Sequence, residues 1–189
     1  LLNNPREYFT FYLLHSSIET ADLKNLESYC SLHGAELHAI QVEKTLFNDA
    51  PANKRYPREM YYRLLSPHIL PQSLDKILYL DPDILVINPV KALWDMDLGN
   101  CPFAAASHTG ITEFANDLNR LRLGTDHNYF NSGIIMINLE TARQVVKTAD
   151  VFQCVSDYYD ELVMPDQDVF NVLYGKKTIE IEDVLWNYD

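Results

Sequence analysis

Two aspartates separated by one residue follow a short apolar run, and they carry the strongest chemical signal in the sequence. Asp81 and Asp83 flank Pro82, directly after the run at 77–80. Proline biases the residue before it toward an extended conformation, in which residues two apart point the same way. We therefore expect both carboxylates to project together as hard ligands for Mn²⁺ or Mg²⁺. Asp-Pro also opens ordinary turns, so the pair alone leaves both explanations open.

Two further polar groups stand at the borders of predicted elements. They are Asn131 with Ser132, and Asp166 and Gln167 with Asp168. The first precedes a predicted buried strand, and the second opens a predicted helix. Open α/β sheets place ligands beyond strand ends, which makes these groups candidates for one site. Structural explanations also exist, because Asn-Ser-Gly can form a plain turn and acids at a helix start complement its dipole.

The elements that must position these groups follow an α/β pattern. Aromatic and β-branched runs predict strands at 8–14, 36–42, 77–80, 103–106, 134–138 and 177–181. Apolar spacing predicts helices at 20–33, 57–66, 90–96, 141–160 in one or two pieces, and 166–174. Pro67 is expected to interrupt the second of these, with a further short turn at 67–70, and the mixed, polar stretch 111–123 is expected to form a helix and loop over the site. Residues 1–6 look like a helix end, and Trp94 is expected in the core. The opening strand–helix–strand order predicts a parallel α/β sheet.

Arg63 falls on the predicted helix that starts at Pro57, next to Tyr61 and Tyr62. A surface ion pair or a cation–π contact would explain it structurally. A contact with a phosphate or a base near a pocket is the functional alternative.

Composition excludes several classes of partner. The net charge is −12, from 15 basic and 27 acidic residues, which argues against binding to nucleic acid or to an anionic membrane surface. Three cysteines at wide spacing predict reduced thiols in a cytoplasmic protein, with neither disulfides nor a zinc site. No apolar stretch is long enough to span a bilayer. The first residue is Leu1, which indicates a segment of something longer.

Taken together, the motifs resemble glycosyltransferase family 8, the retaining enzymes of the GT-A fold. The matching stretches are YYRLL (61–65), DKILYLDPDILV (75–86), LWDMDLG (93–99), YFNSGIIMINL (129–139) and PDQDVFN (165–171). They keep the family's order and spacing, and the region that they span, residues 61–171, is more than half of the chain. Within the family, these stretches resemble the bacterial lipopolysaccharide galactosyl- and glucosyltransferases and the general stress protein A group.

The resemblance implies a single, partial catalytic domain over residues 1–189. Its sheet would be mixed and mainly parallel, flanked by helices. The family's first strand and helix would precede Leu1, and its later part, which supplies the third metal ligand and a phosphate-binding lysine, would follow Asp189. Such a segment could be inactive by itself, and its unpaired sheet edges could drive self-association.

The resemblance also implies roles for individual residues. Asp81 and Asp83 would bind Mn²⁺ (or Mg²⁺), which bridges the diphosphate of a UDP-sugar, and Asp81 would also lie near the ribose. Arg63 would contact the donor sugar or its phosphate. Asn131 and Ser132 would line the sugar pocket. Asp166 would form hydrogen bonds with hydroxyls of the donor sugar, and Gln167 would lie beneath the anomeric carbon.

The activity implied is transfer of galactose or glucose from a UDP-sugar to a saccharide acceptor, with retention, in lipopolysaccharide or cell-surface glycan synthesis. The location would be cytoplasmic, or peripheral at the inner membrane for the full-length protein. Since an amide is a poor nucleophile, we favour front-face attack by the acceptor, with Gln167 stabilising positive charge and Asp166 beside it. On the acceptor side, relatives often place an aspartate where this chain has Ser107-His108, so the resemblance does not specify which saccharide is the acceptor.

Two alternatives stay open at this point. A phosphohydrolase of the haloacid-dehalogenase type would use Asp81 as its nucleophile, although that motif normally continues into a Gly/Thr turn. A non-catalytic fragment that binds a UDP-sugar without turnover is the other alternative.

Overall fold

The computed structural model of the protein describes residue 4, residues 7–107 and residues 111–188, without the side chains of 111–113. The expected helix end at 1–6 falls mostly outside this part of the chain, and His108 falls outside it entirely.

The described residues form alternating strands and helices close to the predicted ranges. The strands are β1 (Thr10–His15), β2 (Glu36–Gln41), β3 (Lys76–Leu80), β4 (Phe103–Ala106), β5 (Ile134–Asn138) and β6 (Thr178–Ile181). The α-helices are α1 (Thr20–Leu32), α2 (Tyr62–Ile69), α3 (Lys91–Trp94), α4 (Ile111–Leu123), α5 (Leu139–Val145), α6 (Thr148–Asp157), α7 (Pro165–Tyr174) and α8 (Asp183–Trp186). Short 3₁₀ helices cover Arg58–Tyr61 and Gly175–Lys177.

The strands form two sheets. β1 and β2 pair in parallel, as the strand–helix–strand start predicted. The second sheet has the order β3-β5-β4-β6, in which β5 is antiparallel to β3 and β4, and β6 is parallel to β4. β3, β4 and β6 therefore run in one direction, and β5 runs against them. The prediction of a mixed sheet is confirmed. Three of the four strands in the second sheet run in the same direction, as expected for a mainly parallel sheet. Of the four described strand pairings, two are parallel and two are antiparallel.

The reversed direction of β5 decides where the polar groups meet. Leu80, the last residue of β3, pairs with Ile134, the first residue of β5. The ladder extends one step further, because the backbone N–H of Asp81 donates to the carbonyl of Gly133 at 2.8 Å. The segment that precedes β5 is thereby held against the residue that follows β3.

Side chains of β5 alternate between two apolar clusters, as expected for a strand covered on both faces. Ile135 and Ile137 belong to the larger cluster, which also contains Phe170 from α7. Met136 belongs to the smaller cluster on the other face. Tyr12 of β1 packs against the larger cluster, so the two sheets share one core.

Two local predictions were wrong. Pro67 does not interrupt its helix, since α2 runs without a break from Tyr62 to Ile69. The proline lacks the N–H that would bond to the carbonyl of Arg63, and the hydroxyl of Ser66 donates to that carbonyl instead, at 2.8 Å. Trp94 is not in the core but 41% exposed, with the ammonium group of Lys76 5.0 Å above its ring.

Asp168 ties the start of α7 to three other segments. Its carboxylate is fully buried and accepts hydrogen bonds from both terminal nitrogens of Arg122 on α4, at 2.7 and 3.0 Å. The hydroxyl of Tyr129 donates at 2.6 Å, and the backbone N–H groups of Val163 and Met164 donate at 2.7 and 3.1 Å. Asp168 is thus a structural anchor for the turn of α7 that carries Asp166 and Gln167.

We expect Asp168→Asn to lower the free energy of unfolding by about 3–5 kcal/mol, because it leaves the guanidinium of Arg122 without its buried counter-charge. Asp126→Asn is the matched control: its ion pair with Lys176 is 73% and 70% exposed, so the loss should stay below about 1 kcal/mol. Urea denaturation followed by circular dichroism measures both. Equal losses in the two variants would contradict the anchoring role.

Candidate functional site

Arg63 lies between two carboxylates at the end of β3. Its terminal nitrogens donate to both oxygens of Asp81, Nη2 to Oδ1 at 2.6 Å and Nη1 to Oδ2 at 3.3 Å. Its Nε lies 2.9 Å from Oδ2 of Asp166. The side chains of Arg63 and Asp166 are only 8% and 9% exposed, so the expectation of a surface ion pair is wrong. The cation–π alternative is confirmed, but with Tyr79, whose ring centroid is 4.6 Å from the guanidinium carbon.

Asp81 has one saturated oxygen and one that is largely free. Oδ1 accepts the hydroxyl of Tyr79 at 2.8 Å in addition to Nη2 of Arg63. Among the described residues, the longer bond from Arg63 is the only hydrogen bond that Oδ2 accepts. A carboxylate oxygen has two lone pairs, so Oδ2 retains a free acceptor position for a cation or a ligand.

The backbone after Asp81 differs from the extended path that the sequence predicted. The N–H of Ile84 donates to the carbonyl of Asp81 at 3.4 Å, which closes a turn with Pro82 in its second position. Asp83 is exposed, and within the described ranges no group bonds to its carboxylate. The fixed φ of proline is compatible with the second position of a turn as well as with an extended segment, and here the chain adopts the turn.

The donor set at this point is compatible with half of a divalent-metal site. Free oxygens of Asp81 and Asp83 are ligands that Mn²⁺ and Mg²⁺ prefer. Among the described residues, no group of three or more potential ligand side chains is assembled. The two aspartates would therefore need further ligands from water, substrate or other protein groups.

Ser132 connects the remaining site residues. Its hydroxyl accepts from Nη1 of Arg63 at 3.1 Å and donates to Oδ2 of Asp166 at 3.2 Å. Its carbonyl accepts from the same Arg63 nitrogen at 2.7 Å, and its N–H donates to Oε1 of Gln167 at 2.9 Å. Ser132 is 3% exposed. It joins two side chains of α7 to the arginine of α2.

Electrostatics in this cluster follow from one cation between two acids. Burial raises the pKa of the Asp166 carboxyl, and the charge of Arg63 opposes that rise. Burial alone would lower the pKa of the Arg63 guanidinium, but the carboxylates of Asp166 and Asp81 outweigh it and raise the pKa above its ordinary value. Arg63 therefore stays charged.

Five of the residues predicted for the site are thus in one hydrogen-bonded cluster. They are Arg63, Asp81, Ser132, Asp166 and Gln167. Asn131 lies at its border: its Oδ1 accepts the N–H of Gly133 at 2.7 Å, and a Cβ built on Gly133 would lie 3.1 Å from Oδ2 of Asp81. Asp83 is exposed beside the cluster. Ser107 at the end of β4 donates its hydroxyl to Glu180 of β6.

Sequence reasoning missed two residues that hold the cluster in place. Tyr79 bonds to Asp81 and lies against Arg63; its position two residues before Asp81, on the same side of the strand, was an available signal. Asn171 is fully buried, and its side chain bonds to both the N–H and the carbonyl of Phe130 at 2.7 and 2.8 Å. Asn171 follows Gln167 by one helical turn, so its position also placed it on the site face of α7.

Comparison with known proteins gives this site a family. The fold is the GT-A glycosyltransferase fold: the chain superimposes on a crystal structure of the galactosyltransferase LgtC, described in complex with donor and acceptor sugar analogs, with a TM-score of 0.87 and 26% identity. The alignment covers 96% of this chain and 66% of LgtC. The profile of glycosyl transferase family 8 matches residues 1–188, and the chain belongs to that family.

Curated relatives agree with the branch that the sequence indicated. General stress protein A of Bacillus subtilis is 28% identical over 93% of this chain and 61% of its own length. Lipopolysaccharide 1,3-galactosyltransferase of Salmonella typhimurium is 23% identical over 94% of this chain and 54% of its own length. The chain therefore spans little more than half the length of these relatives. None of the helices in the described ranges is both long and apolar enough to cross a membrane.

We expect Arg63→Met to lower the free energy of unfolding by about 3–5 kcal/mol at neutral pH, since the buried Asp166 and the half-buried Asp81 lose their cation. Without Arg63, the pKa of Asp166 rises further above its ordinary value of 3.8. The folded variant then holds a proton that the unfolded chain has released, so its stability falls as the pH rises through that interval, and the loss is smaller at acid pH.

Arg143→Met is the matched control, because the guanidinium of Arg143 donates to backbone carbonyls at Pro67, Pro71, Gln72 and Leu74. Its cost should not change with pH. Denaturant titrations of both variants from pH 4 to pH 8 measure the difference. A pH-independent loss for Arg63→Met would show that the carboxylates do not depend on it.

Proposed function

We propose that this chain is the donor-binding part of a retaining glycosyltransferase catalytic domain that transfers a hexose, galactose or glucose, from a UDP-sugar to a saccharide acceptor. The observation that carries the proposal is the buried Arg63–Asp81–Ser132–Asp166–Gln167 cluster at one sheet edge, in a chain of family 8. We treat residues 1–189 as one domain segment and infer a cytoplasmic location. The named relatives support lipopolysaccharide or another cell-surface glycan as the product.

In this proposal, Asp81 and Asp83 hold Mn²⁺ or Mg²⁺. The ion would stabilise negative charge on the departing diphosphate without a proton donor. Asp81 is suited to this role because Tyr79 and Arg63 saturate Oδ1 and leave Oδ2 for the ion. Asp83 contributes an exposed carboxylate that need not break a protein contact to bind.

The sugar would be bound by groups on α7 and the loop before β5. The charge of Arg63 opposes the rise that burial causes in the pKa of Asp166. This favours a carboxylate that can accept hydrogen bonds from hydroxyls of the donor sugar through its less occupied oxygen. Ser132 is buried and supports Arg63 and Asp166. The predicted contact of Arg63 with the sugar or its phosphate remains a proposal. Arg63 would have to divide its hydrogen bonds between its present protein partners and the donor sugar nucleotide.

Gln167 supports front-face attack by the acceptor. Its Oε1 already accepts the N–H of Ser132 at 2.9 Å, which withdraws electron density from an amide oxygen that is a weak nucleophile to begin with. The same oxygen remains able to stabilise the positive charge of an oxocarbenium-like transition state. A trapped covalent sugar on Gln167 or Asp166 would refute this assignment.

Of the two alternatives, membership of family 8 leaves no support for a phosphohydrolase with Asp81 as nucleophile. A fragment that binds UDP-sugar without turnover stays open, since the chain spans only part of its relatives. Self-association through an exposed sheet edge likewise stays a prediction.

Calorimetric titration of UDP into this chain, with and without Mn²⁺, tests the proposal. We expect binding that requires Mn²⁺, and we expect Asp83→Asn to abolish the metal-dependent part while leaving the unfolding transition unchanged. Asp22→Asn, which removes an exposed carboxylate in the first turn of α1, is the control and should bind normally. Metal-independent UDP binding would contradict the assignment of the two aspartates, whereas UDP-sugar binding without transfer would identify a binding fragment.

Gly133→Ala should weaken donor binding about tenfold or more with only a small loss of stability. A Cβ at this position would lie 3.0 Å from Oδ1 of Asn131 and 3.1 Å from Oδ2 of Asp81, so both polar groups must shift, as when the supports of a metal ligand are altered.

Gly124→Ala is its control. Gly124 has φ +65°, and no atom of the described residues lies within 4 Å of an added Cβ. The substitution should cost about 1–2 kcal/mol of stability through backbone strain and leave donor affinity unchanged. Comparison of UDP affinity and unfolding free energy in the two variants separates the effects, and normal UDP binding by Gly133→Ala would contradict the proposed geometry.

A further inference from the structure

The last described residues return to the site by a path that the sequence did not reveal. After β6 the chain passes through α8, and the side-chain nitrogen of Asn187 then donates to Oδ1 of Asn131 at 2.8 Å. Asn187 is half-buried. It contacts the loop before β5 from a position 56 residues further along the chain.

Two donors on one oxygen fix the orientation of the Asn131 amide. Oδ1 of Asn131 accepts the N–H of Gly133 at 2.7 Å and the amide of Asn187 at 2.8 Å. A carbonyl oxygen has two lone pairs, so this oxygen is saturated. The amide nitrogen of Asn131 has no partner among the described residues. Asn131 can therefore serve a ligand only as a hydrogen-bond donor.

The position of this donor matters because of its neighbour. The Cβ that Gly133 lacks would lie within 3.1 Å of both Oδ1 of Asn131 and Oδ2 of Asp81, so the two oxygens flank the same face of the glycine. A ligand that approaches the free oxygen of Asp81 therefore also approaches the amide of Asn131. Asp81, Asp83 and Asp166 all carry acceptor oxygens that would repel a phosphate oxygen. The uncharged NH₂ group of Asn131 can instead donate a hydrogen bond to a hydroxyl or phosphate oxygen of the ligand.

We propose that Asn187 is a positioning residue: together with the N–H of Gly133, it holds the Asn131 amide so that its NH₂ group faces an oxygen of the sugar diphosphate. The proposal rests on the proposed function only for the identity of the ligand. The orientation itself depends on the hydrogen bonds within the chain.

Side-chain amide NMR of ¹⁵N-labelled chain tests the orientation without any ligand. The NH₂ signals of Asn131 are assigned by their loss in Asn131→Asp. We expect Asn187→Ala to shift or broaden these signals, since one of two anchors is gone. Asn53→Ala, in a separate loop where the side chain accepts from the backbone of Arg55 and Tyr56, should leave them unchanged. Unchanged Asn131 signals in Asn187→Ala would overturn the positioning role whatever the chain binds.

Titration with UDP-glucose and UDP-galactose in the presence of Mn²⁺ then tests whether the NH₂ group of Asn131 faces the bound ligand. We expect the Asn131 NH₂ signals to move on binding, and Asn187→Ala to lower affinity about fivefold, equivalent to one net hydrogen bond. Binding that leaves the Asn131 signals in place would overturn the ligand-facing assignment. Absence of any binding would count against the proposed function alone, because the ligand-free spectra decide the positioning role separately.

Discussion

The arrangement of this site depends on one guanidinium group shared by two carboxylates, of which Asp166 is buried and Asp81 is half-buried. Arg63 donates to Asp81 after β3 and contacts Asp166 at the start of α7. Burial raises the pKa of the Asp166 carboxyl, and the guanidinium of Arg63 beside it opposes that rise. The two ion pairs also fix the distance between the end of β3 and the start of α7. The connection along the chain does not by itself set this distance. Packing alone would hold the elements, but it would not orient the acids.

Strand direction supplies the second constraint. Because β5 runs against β3, its first residues lie at the end of β3, and Ser132 can bond to Arg63 and Gln167 together. A parallel β5 would have put those residues at the opposite edge of the sheet. Asn171 and Asp168 then fix the loop and the helix relative to each other through bonds to Phe130 and Tyr129. Site geometry is therefore set by topology first and by buried polar side chains second.

Sequence patterns predicted most of the fold because strands and helices here keep clear apolar periodicity. They failed at two positions: Ser66 donates to the carbonyl that Pro67 leaves without its helical partner, and Trp94 is exposed, with Lys76 over its ring. The polar motifs named most of the site because their residue types are rare beside buried strands. Asn187 carried no such signal, since its role depends on a long-range return of the chain that no local pattern encodes.

The charge balance of the cluster connects its structure to its proposed chemistry. Arg63 offsets only one of the two acids that it contacts, and Asp83 adds an exposed negative charge beside them. An anionic diphosphate would be repelled by this surplus unless a cation joined it. A site built to bind a sugar diphosphate by itself would show the opposite balance, with spare arginines or lysines. The acidic surplus thus favours a ligand that arrives with, or completes, a divalent metal site, and it gives the uncharged amide of Asn131 a role that a third carboxylate could not fill.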